Sequence, residues 1–307
     1  MVTPKDIQYL EHKNVNKAKW DLCVGSADNG LIYAYSYYLD HMAMHWDALV
    51  FNDYEAVMPL TWNKKYGFYY LHQPFLCASL GVFGKKIDAK ITEAFLRAIP
   101  GKFRYWDIYL NSGNLFPLAD FKPYIRLNHV LNLKKNYDDL YQLFRASYKQ
   151  TLKRVEQAGC IIKKDIAIEE VMAMTKSQLD PVVKIKDERY ERFIQLYRVI
   201  CSNNHAVNYG VYTPKDQLLA SGVFLFSHQR AYYILAGNHP NGRTLGASHQ
   251  VINTFIKDHA ERNLVLDFEG SDISKIAFFF KSFGAEEELY PGILYNRLPA
   301  LVRWLKN

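Results

Sequence analysis

Two stretches of this chain pass through the same succession of elements, and that repetition constrains the fold more than any single motif. In the first, residues 48–51 and 55–62 read as strands flanking the turn Asn52-Asp53-Tyr54. A strand over 66–71 follows, then a loop with Gly81 and Gly84, a helix over 87–99 and a strand over 105–110. In the second, strands over 207–212 and 218–226 flank Pro214-Lys215-Asp216. Next come a strand over 231–236, a glycine-bearing loop, a helix over about 244–261 and a strand over 264–268. Asp53 and Asp216 occupy equivalent places 163 residues apart, Asp107 and Asp267 160 apart. A near-constant offset predicts two copies of one α/β fold with mixed sheets, although few residue identities are shared.

The joint is expected near residue 135, giving domains over 1–135 and 136–307. A helix over 137–158 begins the second. Its Tyr137, Leu140, Tyr141, Phe144, Tyr148, Leu152 and Val155 keep i, i+3/i+4 spacing. Gly159 fits the left-handed position just past its end. A strand over 160–162 and a helix over 189–201 complete the entry to the second copy.

Composition excludes several classes. With 49% hydrophobic and 15% aromatic residues in 307, the chain is too apolar for disorder. Four separated cysteines, with no C-x-x-C, give neither a zinc motif nor a disulfide framework, and fit buried thiols in a reducing compartment. No metal site is expected. The N-terminus lacks an apolar signal core, and the longest apolar stretch, 218–226, falls short of the roughly 20 residues a spanning helix needs. A cytoplasmic chain is the expectation. Its net charge of +7 favours anionic partners.

Residues 231–270 are the most informative. An apolar strand enters a glycine-bearing loop that opens a helix, and a second strand follows with no room for a hairpin return. The two strands should be parallel, which puts the helix N-terminus at their carboxyl edge. Unpaired amides from Gly242 through Arg243, Thr244, Leu245, Gly246, Ala247 and Ser248 would there form a cradle for a pyrophosphate. The bland alternative is a helix start that needs its glycines only for the turn.

Arg243-Thr244-Leu245-Gly246-Ala247-Ser248 resembles the Q/R-x-x-G-x-G/A loop of GNAT-type N-acyltransferases, which binds the coenzyme A pyrophosphate. Ser248 departs from the last position. The segment from Ile276 to Gly284 is similar to that family's A-x-x-F-Y-x-x-x-G ending, but Phe280 stands where its proton-donating tyrosine falls. Tandem GNAT folds also characterise the Fem-type (FemABX-like) aminoacyltransferases. The basic helix SYKQTLKRVEQAGC and the segment Phe280-Lys281-Ser282-Phe283-Gly284 are similar to segments of that family. The resemblance implies two tandem GNAT-like domains, the first on the acceptor side and the second on the acyl-donor side. It also implies a C-terminal helix over 299–307 packed on the first domain.

Individual residues carry two readings each. Lys281 is either a cation stabilising an oxyanion, as the resemblance implies, or a solvated lysine over core aromatics. Asp267 and Glu269 straddle Phe268, so both could face one side of a strand end and accept the acceptor amine's proton. Asp267, Ser271 or Asp272 could instead cap the next helix. His249 and His259 lie too far apart along their helix to share a metal and read as packed or surface histidines. Tyr295 reads as a packing residue. Arg145, Lys149, Lys153, Arg154, Lys163 and Lys164 form a basic run whose 145/149 and 149/153 pairs make one helix face cationic, either solvated or a groove for tRNA, a lipid-linked pyrophosphate or a coenzyme A tail.

The expected activity is transfer of an activated acyl group from an acyl-CoA-like donor to an amine, catalysed by Lys281, Asp267 and Glu269 with the donor held at 242–248. The acceptor is a small molecule or a peptidoglycan precursor. One alternative is a Fem-type enzyme using aminoacyl-tRNA on a cell-wall precursor. The other, favoured by Phe280, is a catalytically silent binding protein of the same fold.

Overall fold

The computed structural model describes residues 3–270 and 272–299. The described residues up to Leu127, together with those from Leu289 onward, form one compact unit, and Asn128–Glu288 form another. The first contains β1 (Ile7–Leu10), β2 (His45–Phe51), β3 (Ala56–Lys65), β4 (Phe68–His72), the short β5 (Phe83–Gly84) and β6 (Phe103–Tyr109). Its helices are α1 (Lys17–Ser26), α2 (Ser36–Met42) and α3 (Ala89–Ala98). The chain passes into the second unit within β7 (Tyr124–Asn132). There follow β8 (Ile161–Lys164), β9 (Ala206–Tyr212), β10 (Leu218–Ser227), β11 (Arg230–Asn238) and β12 (Val265–Asp267). Helices α4 (Tyr137–Gln142), α5 (Ala146–Gln157), α6 (Ile168–Leu179), α7 (Asp187–Ser202), α8 (Pro240–Leu245), α9 (Ala247–His259) and α10 (Ser274–Lys281) lie among them. The chain returns within β13 (Glu286–Asn296).

Each unit repeats one succession of pairings. In the first, β1–β2, β2–β3 and β3–β4 are antiparallel, β4–β6 is parallel and β6–β13 antiparallel. In the second, β8–β9, β9–β10 and β10–β11 are antiparallel, β11–β12 is parallel and β12–β7 antiparallel. The parallel pairs are those the missing hairpin return requires. The first unit's run of strands closes on β13, reached only after the chain has passed through residues 128–288, and the second closes on β7, where that passage begins. This is why the unit boundary falls at 127/128 and again at 288/289 instead of once near 135. The C-terminal helix expected over 299–307 lies, apart from Pro299, outside the described residues, as does Ser271.

The single helix expected over 137–158 is two. Arg145 takes an extended conformation (φ −59°, ψ 145°), and its amide bonds the Ser282 carbonyl at 3.1 Å instead of continuing the helix. Gly159, with φ 68°, ends α5 in the left-handed conformation that its position predicts. In the second unit the sheet is covered by α9, whose Val251, Ile252, Phe255 and Ile256 are fully buried. Phe255 stacks on Phe224 at 3.8 Å. A ring of that size contributes about 2–3 kcal/mol by leaving water. Among the described residues no helix is long and apolar enough to cross a membrane.

Candidate functional site

The parallel ladder between β11 and β12 is short. It runs from Arg230↔Val265 to Tyr232↔Asp267, after which β11 continues to Asn238 paired only with β10. The two strands thus part at the carboxyl edge, where the crossover begins. His239 starts α8: its Nδ1 accepts from the Asn241 amide at 3.2 Å, and Pro240 fills a position that needs no amide hydrogen. A Cβ at Gly242 would stand 2.1 Å from the Leu219 carbonyl oxygen, so the seating of α8 against β10 accounts for that glycine.

The expected open loop is therefore largely helical. The amides of Arg243 and Gly246 bond the carbonyls of His239 and Gly242, at 2.9 and 2.8 Å, and that of His249 bonds Gly246 at 3.0 Å. Thr244 turns its hydroxyl to the Pro240 carbonyl at 3.3 Å. Gly246, at φ 89°, makes a left-handed step, and α9 starts at Ala247. Ala247 and Ser248 hold its first two positions, where an amide has no carbonyl one turn behind it. The cradle is narrower than the sequence suggested: two amides at the start of a thirteen-residue helix.

The cation beside them is not the expected one. Arg243 is exposed on the last turn of α8. Arg154, from α5, donates Nε and Nη2 to the Leu245 carbonyl at 3.2 and 3.0 Å. Its guanidinium lies 3.6 Å from where a Gly246 Cβ would be, and Thr151 Cγ2 lies 2.3 Å from that point. Glycine is thus required at 246 twice, by its φ and by the approach of α5. The sequence showed Arg154 only as part of a cationic helix face, since nothing local links it to a turn some 90 residues later.

His249 occupies the first turn of α9. Its Nδ1 is 3.0 Å from the Gly246 carbonyl, and the ring meets Tyr148 at 4.1 Å and Phe279 at 4.9 Å edge-on. Burial among these rings, outweighing the bond to Gly246 and assisted by nearby Arg154, depresses its pKa to about 4. A carbonyl only accepts, so Nδ1 carries the proton and Nε2 presents a lone pair.

The paired-carboxylate expectation fails. β12 ends at Asp267, and Glu269 adopts φ 67°, which breaks the two-residue period. Asp267 is buried and saturated: Arg230 Nη1 reaches one oxygen at 2.5 Å, and Asn128 Nδ2 and the Glu269 amide reach the other at 2.9 and 2.8 Å. Arg230 also grips Glu288, Nη1 at 2.9 Å and Nη2 at 2.7 Å. Burial opposes the Arg230 charge, but Asp267 and Glu288 outweigh it and raise its pKa. The α10 helix begins with Ile273 at its cap and no side-chain cap bond.

Lys281 is exposed and ion-paired with Glu287. Phe280 is buried and stacks on Phe268 at 4.7 Å, so its position supplies no phenol. His129 lies fully buried at 6.1 Å from Phe280, and neither ring nitrogen has a hydrogen-bond partner. Burial, with Lys281 nearby, lowers its pKa. Tyr295 belongs to the first unit, where it stacks on Trp106 at 4.1 Å. Among the described residues no three His, Cys, Asp or Glu side chains converge to hold a metal ion.

No protein-family model and no curated protein matches the chain in sequence. Solved structures are similar to it. FemX superposes over 98% of this chain and 100% of its own, with a TM-score of 0.68 and 13% identity. The chain shares the fold of FemX. A conserved protein of unknown function from Bacteroides thetaiotaomicron VPI-5482 gives a TM-score of 0.60 at 12% identity, over 92% of this chain and 98% of that one. L-PGS from Bacillus licheniformis gives 0.52 at 9% identity, over 85% and 87%. In the Fem-like fold of this chain, the parting of β11 from β12 and the start of α9 fall on one edge of the second unit's sheet.

Proposed function

We infer that this protein is an N-acyltransferase that holds the phosphate-bearing tail of an activated acyl donor at the start of α9. One observation carries the reading. The amides of Ala247 and Ser248 open a thirteen-residue helix, with the Arg154 guanidinium beside them and a gap between β11 and β12 alongside. Two N–H donors, a helix dipole and an arginine together suit an anionic oxygen.

With acyl-CoA as donor substrate, the acceptor amine attacks the thioester carbonyl, the C–N bond forms and the C–S bond breaks. A proton leaves the amine and one is returned to the departing thiolate. Asp267 is committed to Arg230 and Asn128, and Phe280 has no exchangeable proton. His249, held neutral with a pKa of about 4, is too weak a base for the amine proton, which passes to solvent. Positioning of the two reactants supplies most of the acceleration.

Calorimetric titration with acetyl-CoA tests the donor site. Arg154→Ala should weaken binding by about 1–3 kcal/mol, roughly tenfold or more. Arg243→Ala should do less, because Arg154 is the arginine bonded to the Leu245 carbonyl at the turn. Equal affinity in wild type and Arg154→Ala contradicts the assignment.

A second reading is favoured by the end-to-end superposition on FemX and by Arg145, Lys149 and Lys153 on the α5 side. In it the donor is an aminoacyl-tRNA and the acceptor a cell-wall precursor. Thermal stabilisation by charged tRNA that falls steeply with salt, without a response to acyl-CoA, selects it.

A further inference from the structure

The first unit contains a cleft of about 510 Å³ that the acyl-transfer reading does not use. It opens where β6 begins and β13 ends. On its floor Trp106 and Tyr295 stack at 4.1 Å, and Phe121 stacks against Trp106 at 6.2 Å. Trp106 is buried and spends its N–H on the Phe103 carbonyl, so Tyr295 and Phe121, both half-buried, offer the accessible ring surface.

Three arginines line the same cleft. Arg97 is neutralised by Glu93 at 2.9 Å and by Asp120, which is the one acid of the lining. Arg104 and Arg297 have no carboxylate partner among the described residues. They stand opposite each other on neighbouring strands: the Arg297 amide donates to the Arg104 carbonyl at 2.8 Å. The Arg297 guanidinium lies 5.0 Å from the Tyr295 ring centre. Arg104 is the extra residue of a β-bulge, since Tyr69 pairs with Phe103 and Tyr70 already with Tyr105. Bulges re-aim side chains, and like charges opposed across two strands weaken the sheet. The fold thus carries a paired cationic rim that no acid of its own offsets, over an aromatic floor.

We propose that this cleft binds a nucleotide, its phosphate held between Arg104 and Arg297 and its base laid on Tyr295 and Phe121. Arginine forks match phosphate oxygens two at a time. Every base has a face that stacks on an aromatic ring. A cleft of this volume falls in the range that encloses a ligand of nucleotide size. Inorganic phosphate would satisfy the rim alone, and adenosine the floor alone.

The test is calorimetric titration of the full chain at low salt with AMP, ADP, inorganic phosphate and adenosine. In the Arg154→Ala chain, where the start of α9 is weakened, AMP or ADP should bind one per chain, with phosphate and adenosine each at least about tenfold weaker. Arg104→Gln and Arg297→Gln should each weaken AMP about tenfold or more. Both positions are exposed, so the variants should melt with the wild type. Arg154→Ala should leave AMP binding unchanged, which separates this cleft from the start of α9. The proposal is overturned if AMP and ADP fail to saturate by about 5 mM, or if both glutamine variants bind AMP as the wild type does. It is equally overturned if Arg154→Ala, and not the glutamine variants, removes binding.

Discussion

Replacing Arg230 by methionine tests the packing of the second unit at its most charged point. Arg230 makes three short contacts, to Asp267 at 2.5 Å and to Glu288 at 2.9 and 2.7 Å, and all three side chains are largely buried. Methionine fills much of the volume but strands two carboxylates out of water with no cation. Loss of one partner from such a buried group costs about 3–5 kcal/mol. For a unit of this size that is a fall in Tm of roughly 10 °C.

The pH dependence fixes the cause. In the wild type, burial pushes the Glu288 carboxyl up, but the bonds from Arg230 outweigh this and hold it below its ordinary value. That contribution is present at neutral pH and lost as pH falls through the lowered value. In the variant the Arg230 bonds are gone, burial outweighs the one remaining bond from Asn128, and the Glu288 carboxyl rises. The deficit should therefore be largest near pH 7 and shrink below about pH 5, as the acids protonate. Arg230→Met combined with Asp267→Asn and Glu288→Gln should recover most of the loss. Urea melts of the wild type, single and triple variants across pH read this out. A single-variant cost under about 1 kcal/mol, or one that grows toward acid, refutes the reasoning.

Two further outcomes follow from the α9 turn. His249 should titrate by NMR near pH 4. Because its folded pKa lies below the unfolded value of about 6.5, it weakens the fold as pH falls from about 6.5 toward 4; a normal titration refutes its burial. Gly246→Ala should destabilise by about 1–3 kcal/mol, from left-handed strain and contact with Thr151 Cγ2. Adding Thr151→Ala should return the contact part only, and a neutral Gly246→Ala melt contradicts the geometry.

The sequence made the meanders legible because their turns and apolar runs are local signals, and the parallel crossover because 231–268 leaves no length for a return. Gly159 was legible for the same reason, as a left-handed residue at the end of a periodic helix. What it hid depends on contacts between distant segments. The closing strands β7 and β13 belong to sheets assembled mainly from other parts of the chain, and no local pattern announces that. The α4/α5 break comes from the Arg145 amide choosing Ser282, 137 positions later. Arg154 reaches Leu245 across 91 residues, so charge near the turn was assigned to its sequence neighbour, Arg243. Asp267 and Glu269 read as a pair of acids because Arg230, Asn128 and Glu288 come from three other strands.

Where coenzyme A sits decides whether the start of α9 is the donor site. A crystal structure of the protein grown with it should place pyrophosphate oxygens about 3 Å from the amide nitrogens of Ala247 and Ser248, with the Arg154 guanidinium alongside. Coenzyme A bound away from that turn, or an unoccupied turn at saturating ligand, contradicts it.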